Sequence, residues 1–181
     1  GNCYDPNEII NTVFIYSGSI EYFVVPPGVT QLTIEATGAS GGSNGPGNAV
    51  GGLGVFAAGD FTVTPGDVLR INVGGAGGNG IGSIAGGGGG GGSFVAIDGP
   101  NTPLLIAAGG AGASYNSTSP GEGGRITESG GAGGYSQAAI GQGGISANDG
   151  GGGTGGGGGG WLGAGMVTTG SAAVRLKVVP V

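Results

Sequence analysis

Residues 59–97 read GDFTVTPGDVLRINVGGAGGNGIGSIAGGGGGGGSFVAI, and this stretch decides the fold. Two runs rich in β-formers, GDFTV and DVLRINV, flank Thr64, Pro65, Gly66 and Asp67, with proline and glycine where a type II turn needs them. In the second run Leu69, Ile71 and Val73 alternate with Val68, Arg70 and Asn72, the period of a half-buried strand. The chain then passes through a glycine tract that ends in seven consecutive glycines, Gly86 to Gly92, before the apolar run SFVAI. Strands separated by glycine tracts, with no helix between them, are the expected theme.

The same grammar extends outward in both directions. Toward the N-terminus come TVFIY, IEYFVV, a turn at Pro26, Pro27 and Gly28, and TQLTIEA, in which Leu32, Ile34 and Ala36 oppose Gln31, Thr33 and Glu35. Toward the C-terminus come a loop from Asp98 to Pro103, then LLIAA, and finally AVRLKVV, where Val174, Leu176 and Val178 oppose Arg175, Lys177 and Val179. Further tracts run from Gly150 to Gly153 and from Gly155 to Gly160. Glycine costs about 1 kcal/mol relative to alanine inside a helix, and no apolar pattern of 3.6-residue period occurs. The expected fold is therefore all-β, a small antiparallel β-sandwich or jelly-roll-like core with almost no α-helix.

Glycine makes up 53 of 181 residues, about four times ordinary usage. Two readings of the tracts compete. They are either flexible linkers or extended threefold helices of the polyglycine II type, which have no internal hydrogen bonds and must bond to neighbouring helices. Linkers are usually glycine–serine mixtures between separate domains, whereas these tracts are poor in serine and sit between strands too short to be domains. The packed bundle is the stronger expectation, with residues 1–16 as an N-terminal extension and 17–181 as one glycine-rich β domain whose tracts cover about 38–54, 74–92 and 109–165.

Charged residues are 8% of the chain, ten acids against four bases, for a formal charge of −6. Nucleic acid is not an expected partner of so acidic a chain, and no apolar run approaches the roughly 18 residues of a membrane span. Cys3 is the single cysteine, so it reads as an unpaired thiol in an N-terminal tail or, failing that, as an intermolecular link. Because Gly1 and Asn2 precede it, a lipid anchor is not expected there.

Two catalytic patterns occur and both are by-products of glycine abundance. Gly75 to Gly80 matches G-x-G-x-x-G after a strand, but that fingerprint needs a helix whose first amides hold a pyrophosphate, and here the chain runs on into glycine. Gly38 to Gly42 places Ser40 in a G-x-S-x-G pattern, yet the chain has no histidine to serve as its base. No catalytic residue, cofactor site or metal site is assigned. Asp149 beside Asn148 reads as a turn before it reads as a calcium loop, and Glu122 with Glu128 as solvated loop residues before a glycosidase pair. Asn116-Ser117-Thr118 is a glycosylation sequon. Tyr115, Tyr135 and Trp161 are the aromatic residues that could meet a ligand surface, although Trp161, closing a six-glycine run, reads first as a cap on the bundle.

The segment FIYSGSIEYFVVPPGVTQLTIEATGASGG, followed in order by GDFTVTPGDVLRINVGGAGGNG, GGGGGGGSFVAI, LLIAAGGAGA and GGGTGGGGGGWLGAG, resembles the glycine-rich domains of bacterial secreted surface proteins and phage tail-fibre proteins. More distantly it is similar to the glycine-rich region of anaplastic lymphoma kinase-type receptors. The resemblance covers roughly Val13 to Val179 and implies polyglycine II helices beside β-structure, an extracellular location, and a role in adhesion, receptor binding or assembly without shared catalytic residues. What departs from it is the extension GNCYDPNEIINTVFIYSG, whose Ile9, Ile10, Val13, Phe14 and Ile15 form an apolar strand that either folds back on its own sheet or completes a neighbour's. The expected function is that of a non-enzymatic extracellular structural subunit of a self-assembling filament or matrix, with copies of itself as partners. The alternative is an adhesin that meets a cell-surface glycan or protein receptor.

Overall fold

The computed structural model describes residues 11–99, 102–115, 118–124 and 172–178. Eight strands are formed: β1 (Asn11–Ile15), β2 (Glu21–Val24), β3 (Gln31–Thr37), β4 (Phe56–Thr62), β5 (Val68–Asn72), β6 (Ser93–Ile97), β7 (Thr102–Ala107) and β8 (Ala173–Val178). No helix occurs among the described residues. The turns follow from their chemistry. Gly28 and Gly66 adopt φ of 83° and 91°, and the Val29 and Asp67 N–H groups close the two turns onto the carbonyls of Pro26 and Thr64. Positive φ at the third position of each turn is what glycine supplies without steric cost.

The strands form two four-stranded antiparallel sheets, ordered β1-β8-β3-β4 and β2-β5-β6-β7. Consecutive strands β1, β2 and β3 alternate between the sheets, so β2 pairs with neither β1 nor β3, whereas β3 pairs with β4. Alternation within each strand then fills the space between the sheets: Leu32, Ile34, Leu69, Ile71, Val95, Val174 and Leu176 are all buried in one cluster. Burying a side chain of this size contributes about 1.5–3 kcal/mol. Phe14 is the one β1 residue that joins this cluster.

The glycine-rich connections are organised by backbone hydrogen bonds that recur every third residue. Ala39, Gly42 and Gly45 donate to the carbonyls of Gly91, Gly88 and Ala85, while Gly77 and Gly80 donate to Ser40 and Ser43. Gly110 and Ala113 donate to Ala39 and Gly42, and Gly121 and Gly124 to Val50 and Leu53. With Gly38 and Gly41 donating to Val55 and Gly52 as well, the segment at 38–45 is bonded to four others. A Cβ added at Gly41, Gly42, Gly87, Gly90 or Gly112 would overlap a backbone carbonyl of the adjacent segment. Absence of side chains is what permits this approach.

Candidate functional site

Cross-strand register builds an open concave surface on sheet β1-β8-β3-β4. The outward residues of its four strands fall into rows: Ile15, Ala173, Thr37 and Phe56 in one, Val13, Arg175, Glu35 and Ala58 in the next, and Asn11, Lys177, Thr33 and Asp60 in the third. The alternation that sends Ile34, Ala36, Val174 and Leu176 into the core is what sends Glu35, Thr37 and Arg175 out. Glu35, Thr37, Phe56, Ala173 and Arg175 line an open concavity of about 390 Å³. Phe56 is exposed although its strand has a half-buried inward face one residue away, and Ile15 stands exposed at the other end of its row.

Charge on this surface is balanced. Arg175 and Lys177 on β8 are matched by Glu35 on β3 and Asp60 on β4, and the Thr33 hydroxyl donates to Asp60 Oδ1 at 2.6 Å. The arrangement offers a carboxylate acceptor, a guanidinium donor, a hydroxyl and an aromatic face within one concavity. It can recognise a ligand by stacking and hydrogen bonding. No group of three or more potential metal-ligating side chains occurs among the described residues.

The residues singled out by sequence are dispersed. Val13, Phe14 and Ile15 lie on β1, an edge strand paired in antiparallel register with β8 of the same chain, with Phe14 inward and the other two outward. Tyr115 is half-buried, and its carbonyl accepts from Asn44 Nδ2 at 3.3 Å. Cys3, Ile9, Ile10, Asn116, Tyr135 and Trp161 lie outside the described residues. The nucleotide-like glycine pattern commits its amides elsewhere: the Gly77 and Gly80 N–H groups are bonded to Ser40 and Ser43 carbonyls, and no helix begins there. No described helix is long and apolar enough to cross a membrane.

The concavity was not visible in sequence because Glu35, Phe56 and Arg175 are far apart along the chain and only the β3–β4 and β3–β8 registers make them neighbours. Alternation in TQLTIEA and AVRLKVV could have named Glu35 and Arg175 as outward residues, and Thr37 by continuing the first run one residue. It could not pair them. No protein-family model matches the chain, and no characterised protein matches its sequence.

Proposed function

We propose that the chain is a non-enzymatic, extracellular structural subunit whose copies join through the N-terminal strand, with the β-core braced by a bundle of polyglycine II-type helices. The observation that carries this reading is the position of β1. Among the described residues it is an edge strand held by β8 alone, it contributes only Phe14 to the core, and it presents Val13 and Ile15 to solvent. A short edge strand with one anchor is the kind that exchanges between protomers, because leaving its own sheet breaks a single ladder and entering a neighbour's restores it. Head-to-tail repetition of such a contact builds an open filament.

The bundle is supported by the three-residue recurrence of hydrogen bonds between glycine segments. Threefold extended helices have that period and satisfy their amides outward, and the missing side chains allow supporting Cα–H···O contacts. A bundle of this kind gives rigidity without a large apolar core, which suits a structural subunit. The resemblance to glycine-rich domains of secreted surface and tail-fibre proteins points the same way. The adhesin alternative places a receptor site on loops around Tyr115 to Glu128 and Tyr135 to Asp149, most of which lie outside the described residues.

The test is assembly of purified full-length chain, followed by light scattering and negative-stain electron microscopy. Fibres of uniform width are expected, and removal of residues 1–16 abolishes them. A labelled peptide spanning residues 1–18 is expected to bind the truncated chain along β8. If the full chain stays monomeric at high concentration and the truncation changes nothing, the proposal fails.

A further inference from the structure

We infer that the concavity on the outer face of sheet β1-β8-β3-β4 is a binding site for a neutral hexopyranose ring. The inference stands independently of the assembly reading, since it concerns side chains of β3, β4 and β8 and not the exchange of β1. At about 390 Å³ the concavity lies at the small end of the range of ligand pockets, about 300–1,000 Å³. Thr37 and Ala173 are adjacent in one row and form a low floor, with Phe56 at its end. Phe56 and Ala173 stand two inter-strand spacings apart, about 10 Å in all. That span suits one sugar ring.

The chemistry of the lining selects the ligand class. Phe56 is 62% exposed, so its ring does not serve the core, and a solvated aromatic face at the edge of a pocket is a platform for the apolar C–H face of a pyranose. Glu35 accepts hydrogen bonds, Arg175 donates them, and the Thr37 hydroxyl does both, which matches the mixed donors and acceptors of adjacent sugar hydroxyls. Glu35 and Arg175 occupy directly paired positions on β3 and β8. A cationic or anionic ligand would therefore meet a like charge as near as its counter-charge, whereas an uncharged polyol uses both. A purely apolar ligand would bury the carboxylate and guanidinium without replacing their water, at a cost.

The experiment is titration of uniformly ¹⁵N-labelled full-length protein with the methyl glycosides of glucose, galactose and N-acetylglucosamine, followed by amide chemical shifts. At least one glycoside is expected to give saturable shifts centred on Thr37, Phe56 and Ala173, with a Kd on the order of 1 mM, corresponding to about −4 kcal/mol. Phe56→Ser weakens that binding at least tenfold and Arg175→Gln several-fold. Thr37→Val, which keeps the backbone carbonyl that accepts from Ser93, also weakens it and guards against a folding defect in the first variant. Val24→Ser, on the exposed face of the opposite sheet, leaves it unchanged. The inference is overturned if no glycoside gives saturable shifts up to about 50 mM, far above the millimolar Kd expected of a few hydrogen bonds and one stack. It is equally overturned if Phe56→Ser and Thr37→Val bind as well as the parent. Should dilution of the protein alone move the same amides, the concavity holds a second copy of the chain and the inference is again overturned.

Discussion

The Ser93 hydroxyl donates a hydrogen bond to the carbonyl of Thr37 at 2.7 Å, joining the first residue of β6 to the last residue of β3 in the opposite sheet. The same oxygen accepts the Gly74 N–H at 3.1 Å, and Ser93 is fully buried. One side chain thus satisfies two backbone groups at the point where the sandwich meets the glycine segments. Replacement by alanine removes both bonds, and a buried group that loses its partner costs about 1–3 kcal/mol. Ser93→Ala is therefore expected to lower unfolding free energy by about 2–4 kcal/mol in urea denaturation, with an unchanged m-value. A loss below 0.5 kcal/mol, the scatter of ordinary surface substitutions, would show that water replaces the hydroxyl.

Gly42 is enclosed on three sides. Its N–H donates to Gly88, its carbonyl accepts from Ala113, and a Cβ would overlap the Gly78 carbonyl. None of these neighbours is a flexible side-chain end that could yield. Gly42→Ala is expected to cost at the upper end of the about 1–3 kcal/mol typical of overpacked cores, or more. Among the described residues a Cβ added at Gly123 meets only the Leu53 carbonyl at 3.5 Å, an ordinary contact, and Gly123 has no positive φ. Gly123→Ala should be neutral or stabilise by up to about 1 kcal/mol by restricting the unfolded chain. Thermal unfolding of the two variants side by side separates a packed glycine bundle from slack linkers, for which both substitutions would be alike.

That contrast marks how far the sequence could be read. The run SFVAI corresponds residue for residue to β6, and the type II turn at Thr64 to Asp67 forms as its proline and glycine require. β4 begins at Phe56, three residues before GDFTV, because Ala57 and Ala58 carry little β-signal and their pairing with Ala36 and Glu35 extends the strand instead. Pairing itself was beyond reach. TVFIY, IEYFVV and TQLTIEA read as strands joined by tight turns, yet β2 crosses to the second sheet and pairs with β5. The partners of β1 and β3 are set by β8, more than 130 residues further along, a separation that no local propensity encodes. The concavity depends on those pairings, and so was missed with them.

Asn44 is the polar counterpart of Ser93 at the other end of the glycine segments. It is 2% exposed, its Nδ2 donates to the Ser114 carbonyl at 3.0 Å, and its Oδ1 accepts the Ala49 N–H at 3.1 Å. The side chain therefore closes the turn at residues 44–49 and ties it to the backbone leading into Tyr115. In Asn44→Ala the Ala49 amide loses its acceptor, and its hydrogen-exchange protection is expected to fall about tenfold or more, the factor that 1.4 kcal/mol produces. Amides of β3 and β8 should keep their protection, since their ladder does not involve this turn. Equal loss in both places would mean that the turn and the sandwich unfold together.

Phe14 tests whether β1 is detachable. It is the only β1 side chain in the core cluster, and β1 has one neighbour among the described residues, so its attachment there rests on one ladder and one ring. Large-to-small replacement of a buried phenylalanine costs about 3–5 kcal/mol when the whole fold feels it. At an edge strand the cost can instead appear as local opening, because the strand leaves before the rest unfolds. Phe14→Ala is therefore expected to raise hydrogen exchange at Thr12 to Ile15 by orders of magnitude while the β3 amides facing β8 remain protected. Denaturant unfolding of the sandwich should shift by less than the full burial value. Assembly should weaken in the same variant, because the ring anchors β1 whether it sits in its own sheet or a neighbour's. If β1 and β3 lose protection together, the strand is an integral part of the sandwich, and exchange of β1 between protomers could not occur without global unfolding.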